Sequence, residues 1–304
     1  EMGMNNKGEI AALTRQVRPH IVLITAIAPA HIENLGSEEA IADAKAEIFE
    51  GLENDGAAIV PNDSRHRDRL VKAARRRANR IITFGGGDAD VRAIHAVTAE
   101  RGGSIISAAL LERELTFTIS QRGDHWVANA LAVLAAVEAA GADVALAGLA
   151  LADLGGLKGR GQRHLIEVRG GEALLIDESY NANPASMAAT LKSLGEERDV
   201  FRRVAVLGPM RELGAHSDVL HAGLAPALLE AHVDRLILIG EEMYPLEKAL
   251  AGQIEAELVS GVDEAVRALK DLVRPGDAIL VKASNSVGLS KLVESMAKEL
   301  ACSM

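Results

Sequence analysis

The sequence predicts an α/β protein in two parts: an α/β layer entered part-way, then an open, doubly wound sheet of the Rossmann-like kind. Three observations carry that prediction. Short apolar runs alternate with stretches of helical periodicity along both halves of the chain. A glycine-rich stretch, residues 155–161, separates the halves. Aromatic residues make up only 2% of the 304, so Ala, Leu and Val must fill the cores, which suits aliphatic helices packed on sheets.

In chain order, apolar runs read as strands at 21–27, 57–60 and 80–84, with helical periodicity between them, most clearly at 38–52. Residues 104–107 and 115–119 read as an antiparallel pair. Residues 125–140 read as a long helix, apolar on nearly every side and therefore buried. Beyond the glycines, runs at 174–177, 204–208, 236–240 and 278–282 are each followed by a helical stretch, which implies parallel strands with crossover helices. Ligands of such sheets sit beyond the carboxyl ends of the strands. Polar residues gather there in Asp177-Glu178-Ser179-Tyr180, Gly208-Pro209-Met210 and Lys282-Ala283-Ser284. The expected domains are 1–158 and 159–304, the second folding by itself with about five parallel strands.

Charge and composition narrow the function. The net charge is −10, from 33 basic and 43 acidic residues, with no long basic stripe interleaved with aromatics, so nucleic acid is not expected as the main partner. Cys302 is the single cysteine and forms no intrachain disulfide, in keeping with a reducing, cytoplasmic compartment. No apolar run is long enough to span a bilayer, and the opening residues lack the regions of a signal peptide. A strand pattern begins at Ile21, almost at once, so a truncated chain is expected.

Several residues invite a chemical reading beside a plainer one. Lys45 shares a helix face with Ile41, Ala44 and Ile48, so it either snorkels to water or sits in a buried site where desolvation favours the neutral amine. His31 follows the first strand, where an imidazole meets a metal or phosphate, or simply solvent. In Asp177-Glu178-Ser179-Tyr180-Asn181-Ala182-Asn183-Pro184, two carboxylates end an apolar strand and Pro184 opens a helix. Carboxylates there suit ribose hydroxyls and the helix start suits phosphate. Alternatively Asn183 caps the helix and Asp177 orders the turn. Arg160 offers a planar fork for phosphate oxygens or is an exposed loop arginine. Asn129, in the apolar helix, needs hydrogen-bond partners if buried. The chain has no Gly-x-x-x-x-Gly-Lys-Ser/Thr phosphate loop.

Taken in order, Glu1-Met2-Gly3-Met4-Asn5, Gly8-Glu9-Ile10, Ala30-His31 and the run from Ala44-Lys45-Ala46-Glu47 to Leu52 resemble the later half of the Mur ligase ATPase domain. Residues 125–130 resemble that domain's final helix, and Gly159-Arg160 its junction with the C-terminal domain. Asp177 to Met187 resembles the branch that adds D-alanyl-D-alanine, and Glu212-Leu213-Gly214 and Leu280-Val281-Lys282 complete the pattern. Ala26, Pro209, Ala283 and Asn285 depart from it, standing where Asn, Asp, Gly and Arg are usual.

The resemblance implies an ATP- and Mg2+-dependent amide ligase of peptidoglycan synthesis, joining D-alanyl-D-alanine to a UDP-N-acetylmuramoyl tripeptide through an acyl phosphate, and monomeric when complete. Glu1, His31 and a carbamylated Lys45 would hold magnesium. Arg160 would approach the γ-phosphate, Asn129 the adenine, and Asp177 or Glu178 the ribose, with Tyr180, Asn181 and Asn183 in the same nucleotide segment. The phosphate loop and UDP-binding domain would precede Glu1, so these 304 residues are expected to be inactive by themselves. The competing readings are a folylpolyglutamate synthase-like ligase and a non-catalytic nucleotide-binding or scaffolding remnant.

Overall fold

A computed structural model describes residues 1–29, 32–99 and 103–298. It divides into two compact units, Glu1–Gly155 and Gly156–Met304.

The first unit opens with α1 (Glu9–Val17), β1 (Ile21–Leu23), α2 (Ile32–Leu35) and α3 (Glu38–Ala46). The strand is shorter than the apolar run 21–27. Ile24 still donates its N–H to Ile59 at 3.1 Å, after which the chain leaves the sheet toward Pro29, which has no N–H to offer a ladder. Ser37 caps α3 through the N–H of Ala40. The α-helix stops at Ala46 and tightens into a 3₁₀ turn over Glu47–Gly51. There Thr14 donates its hydroxyl to the Ile48 carbonyl at 2.8 Å, and a Cβ on Gly51 would fall onto the Thr14 backbone. Only glycine permits that approach.

Next come β2 (Ala57–Pro61), α4 (Arg67–Ala74), β3 (Arg80–Gly85), β4 (Val91–Thr98), β5 (Ser104–Leu110) and β6 (Arg113–Ile119), then α5 (Asp124–Ala139) and α6 (Val144–Asp153). The six strands form one sheet in sequence order, parallel from β1 to β4 and antiparallel from β4 to β6. Ser104 pairs with Ile119 and Ser107 with Thr116, the hairpin expected from the alternation. Period-two alternation sends Ile59 and Ile82 toward Leu131 and Leu134 of α5, and Ala58 and Val60 toward Ala42 and Leu70 on the other face. The α5 helix is not buried all round: it lies on one face of the sheet, leaving Asn129 and Val133 exposed.

The second unit contains β7 (Gln162–Val168), β8 (Gly171–Asp177), α7 (Pro184–Gly195), β9 (Arg202–Leu207), α8 (Ser217–Ala222) and α9 (Ala225–Glu230). It continues with β10 (Arg235–Ile239), α10 (Tyr244–Ala249), β11 (Glu255–Val259), α11 (Val262–Leu272), β12 (Asp277–Lys282) and α12 (Ser290–Lys298). The sheet order is β11-β10-β9-β12-β8-β7, parallel except for β7, which pairs antiparallel with β8. Ala205, Leu207, Leu236, Leu238 and Leu280 pack with α7 and α9 on one face. Val204, Val206, Ile237, Ile279 and Val281 pack with α11 and α12 on the other. Burial on both faces makes these strands continuous apolar runs, and it makes the sheet doubly wound.

Candidate functional site

In the second unit the polar residues singled out in the sequence lie where an open parallel sheet puts a ligand, just past the ends of β8 and β12. Asp177 ends β8 and is almost fully buried. Its Oδ2 accepts the Gly159 N–H at 2.8 Å and its Oδ1 the Ser179 N–H at 3.0 Å. Each oxygen thus accepts one backbone N–H. Glu178 faces the Lys282 ammonium at 3.7 Å, and Lys282 also donates to the Asn181 carbonyl at 2.8 Å. Burial raises the Glu178 pKa and lowers that of Lys282, and each shift is opposed by the charge of the other. Arg160 is exposed, its guanidinium 4.2 Å from the centre of the Tyr180 ring.

The two asparagines of this segment serve the backbone. Asn183 caps α7, accepting the Ser186 N–H at 2.9 Å while the Ser186 hydroxyl accepts the Asn183 N–H at 3.0 Å. This is a capping box with Ser in place of the usual acid, and Pro184 follows at the first helical position. Asn181 Oδ1 accepts the Ala182 N–H at 2.9 Å.

In the first unit, Lys45 is half-buried on α3 and donates to the Ala26 carbonyl at 2.9 Å. Burial lowers its pKa. Two residues on, the buried Glu47 carboxylate accepts the Gly8 N–H at 2.8 and 2.9 Å and the Ala11 N–H at 3.2 Å, holding the start of α1. Glu1 is exposed and Asn129 is exposed on α5. His31 lies outside the described residues. Among the described residues no three His, Cys, Asp or Glu side chains are grouped to hold a metal ion, and no helix is long and apolar enough to cross a membrane.

Comparison with known proteins matches residues 1–137 to the Mur ligase middle domain and residues 159–285 to the family described as Mur ligase, glutamate ligase domain. The chain belongs to the Mur ligase family. A Synechocystis relative named UDP-N-acetylmuramoyl-tripeptide–D-alanyl-D-alanine ligase is 34% identical over 307 residues, covering 98% of this chain and 62% of that protein. The crystal structure of MurF from Acinetobacter baumannii matches with a TM-score of 0.84 and 28% identity over 97% of this chain and 63% of that one. MurF from Thermotoga maritima in complex with ADP matches with a TM-score of 0.84 and 25% identity over 99% of this chain and 67% of that one. This Mur ligase chain therefore spans less than two thirds of the length of the Synechocystis relative.

Beside these residues the Mur ligase chain carries a second constellation, in which the strand-end segments Gly208-Pro209-Met210 and Lys282-Ala283-Ser284 meet a histidine that no motif pointed to. His221 is fully buried in α8 and accepts the Met210 N–H on Nε2 at 2.9 Å, while Nδ1 faces the Ser217 carbonyl at 2.8 Å. Pro209 accepts the Ser284 N–H at 3.1 Å, and Arg211 donates its N–H to the Ser284 hydroxyl at 2.8 Å. The loops after β9 and β12 are therefore tied to each other, and His221 tethers the first of them. For His221 itself the sequence signal was a histidine set among Val219, Leu220 and Ala222.

Proposed function

We propose that this Mur ligase chain belongs to an ATP-dependent ligase that joins D-alanyl-D-alanine to a UDP-N-acetylmuramoyl tripeptide. The observation that carries the reading is the arrangement past β8 and β12. A guanidinium is stacked on Tyr180, and in the same segment stand the Glu178 carboxylate, paired with Lys282, and the Asp177 carboxylate, each oxygen of which accepts a backbone N–H. Family membership and the likeness to an ADP-bound MurF support assigning that arrangement to a nucleotide.

In the reaction, a carboxylate oxygen of the tripeptide attacks the γ-phosphorus and ADP leaves. The amine nitrogen of D-alanyl-D-alanine then attacks the acyl carbon, loses a proton and expels phosphate, so one ATP is consumed per amide formed. Arg160 offers planar N–H groups to the transferring phosphoryl oxygens, and Glu178 accepts from a ribose hydroxyl. Bound magnesium would supply positive charge along the phosphates. It takes oxygen donors, which the exposed Glu1 carboxylate and a carbamate on Lys45 would provide and an ammonium would not. Burial lowers the Lys45 pKa, which favours the neutral amine able to carry that carbamate.

The test supplies the gene's full-length product with ATP, Mg2+, UDP-N-acetylmuramoyl tripeptide and D-alanyl-D-alanine. Phosphate and amide should appear one for one, and Arg160→Ala should cut turnover about 10²–10³-fold, as removal of one strong transition-state contact does. Turnover with single glutamate on a folate, and none with the dipeptide, would overturn the reading. Residues 1–304 contain no Gly-x-x-x-x-Gly-Lys-Ser/Thr. Backbone N–H groups and a lysine of that loop cradle the β- and γ-phosphates, so these residues by themselves should release no phosphate; turnover matching the full-length product would refute that part.

A further inference from the structure

We propose that Asp177 is a positioning residue that sets where the Arg160 guanidinium stands, and that it does not itself touch the nucleotide. The inference rests on the ligase reading only for what Arg160 does; the positioning itself rests on geometry within the second unit. Asp177 is 1% exposed, and each of its oxygens takes one backbone N–H, from Gly159 and from Ser179. Its own carbonyl accepts the Gly161 N–H at 2.9 Å, and the Gly159 carbonyl accepts the Tyr180 N–H at 3.0 Å. Four hydrogen bonds therefore bracket Arg160 on one strand of the turn and Tyr180 on the other. The Arg160 N–H is bound as well, to the Leu157 carbonyl at 2.7 Å.

The fit is close enough to exclude a side chain. Gly159 has φ +75, and a Cβ there would lie 2.9 Å from the Tyr180 Cβ and 3.0 Å from its nitrogen. The exposed arginine owes its place over the ring to this buried frame, since an arginine side chain free in water has many rotamers to choose from. At 1% exposure, with each oxygen already accepting a backbone N–H from the turn, the Asp177 carboxylate is shielded from a ligand. Replacing one oxygen by an amide NH2 sets donor against donor, loosening Gly159 or Ser179 and with it the Arg160–Tyr180 contact.

The test is a double-mutant cycle in the gene's full-length product, following kcat and KM for ATP. Asp177→Asn should lower kcat about 10- to 100-fold, the size of loss a misplacement near 1 Å produces. KM for ATP should move less than about twofold, and adding Asp177→Asn to Arg160→Ala should cost less than about twofold more, because the group it positioned is gone. The loss should be the same with 2′-deoxy-ATP and 3′-deoxy-ATP as with ATP. Additive losses, or a KM rise that disappears with a deoxynucleotide, would overturn the proposal and return Asp177 to the ribose. Should Asp177→Asn not fold, Gly159→Ala shifts the same turn through Tyr180 and takes its place in the cycle with the same two outcomes. An activity-free readout separates this inference from the ligase reading. In the 304-residue chain the Arg160 Nε–H resonance should be shifted upfield by the Tyr180 ring, and both Asp177→Asn and Tyr180→Leu should abolish that shift. Survival of the shift in Asp177→Asn sinks the positioning role, whereas an inactive full-length product with the shift present sinks only the ligase reading.

Discussion

Lys45 donates its ammonium to the Ala26 carbonyl at 2.9 Å, tying α3 to the loop that follows β1. Ala26 stands where the resemblance would place Asn, and its backbone oxygen receives the lysine. Burial lowers the Lys45 pKa, which enlarges the neutral amine fraction near pH 7, and the neutral amine is the form that adds carbon dioxide. In the full-length product Lys45→Ala is expected to lower ligation about 10²–10³-fold with the melting curve little changed, since alanine suits a helix. Stripping carbon dioxide should slow the wild type, and bicarbonate should restore it. An active Lys45→Ala enzyme, indifferent to bicarbonate, would rule the carbamate out.

His221 should give the second unit a pH-dependent stability. With a proton on Nδ1 and none on Nε2, a tautomer assigned from its partners, the neutral ring satisfies both Ser217 and Met210. A second proton would set N–H against N–H. Burial lowers the His221 pKa, opposed by its bond to Ser217 and by the charges of Glu242 and Asp218, while Arg211 adds to the lowering. The unfolded chain therefore binds the proton first: stability is full above about pH 6.5 and falls as pH drops toward the lower native pKa, by at most about 1.4 kcal/mol per pH unit. Urea unfolding at pH 8, 6.5 and 5 should show His221→Leu less stable at pH 8 by about 1–3 kcal/mol, for the orphaned Met210 N–H, but flatter below pH 6.5. Equal slopes for the two proteins would exclude His221 as the cause.

The sequence made the inner strands legible and the edges much less so. Val204 to Leu207 and Ala278 to Val281 are buried on both faces, so every position is apolar and the run stands out. Edge strands β7 and β11 alternate charge with apolar residues, as Arg163, Glu167, Glu255 and Glu257 do, because one rim meets water. Strand β4 hid for a similar reason, its residues beyond Ala93 being exposed. At the site, the order strand, carboxylates, Asn183 and Pro184 announced a capped helix. That Asp177 would be held by backbone N–H groups was not readable, because it depends on Gly159, eighteen residues upstream of Asp177. The tether from His221 to Met210 was hidden in the same way, since it needs the packed tertiary structure.

The second unit should fold when expressed from Gly156 onward, the start being chosen to keep Gly159 beside Asp177. Its two cores are built wholly from its own residues on the two faces of one sheet. Circular dichroism in urea should report one cooperative transition, with a slope of about 1–3 kcal/mol per molar. A broad transition with strong binding of a hydrophobic dye before unfolding would show that the unit depends on residues outside it.

Within that unit Arg202 and Asp277 face each other at the starts of the neighbouring parallel strands β9 and β12. The pair is bidentate, Nε to Oδ1 at 2.9 Å and Nη2 to Oδ2 at 2.6 Å, with Asp277 1% exposed and Arg202 also donating to the Leu272 carbonyl at 3.0 Å. Such a pair contributes little net stability over an apolar substitute, because desolvating both charges offsets most of their attraction. Removing one partner is another matter. In Arg202→Met the Asp277 carboxylate keeps the Arg274 N–H at 2.8 Å but loses its cation while still buried, and the cost should be about 3–5 kcal/mol. Adding Asp277→Asn removes the stranded charge and keeps an acceptor for Arg274, so the double variant should regain more than half of that loss. Urea unfolding of the two single variants and the double variant measures the coupling. Additive losses would mean that the carboxylate had found another partner or water, and that the strand starts are more open than the packing around Asp277 indicates.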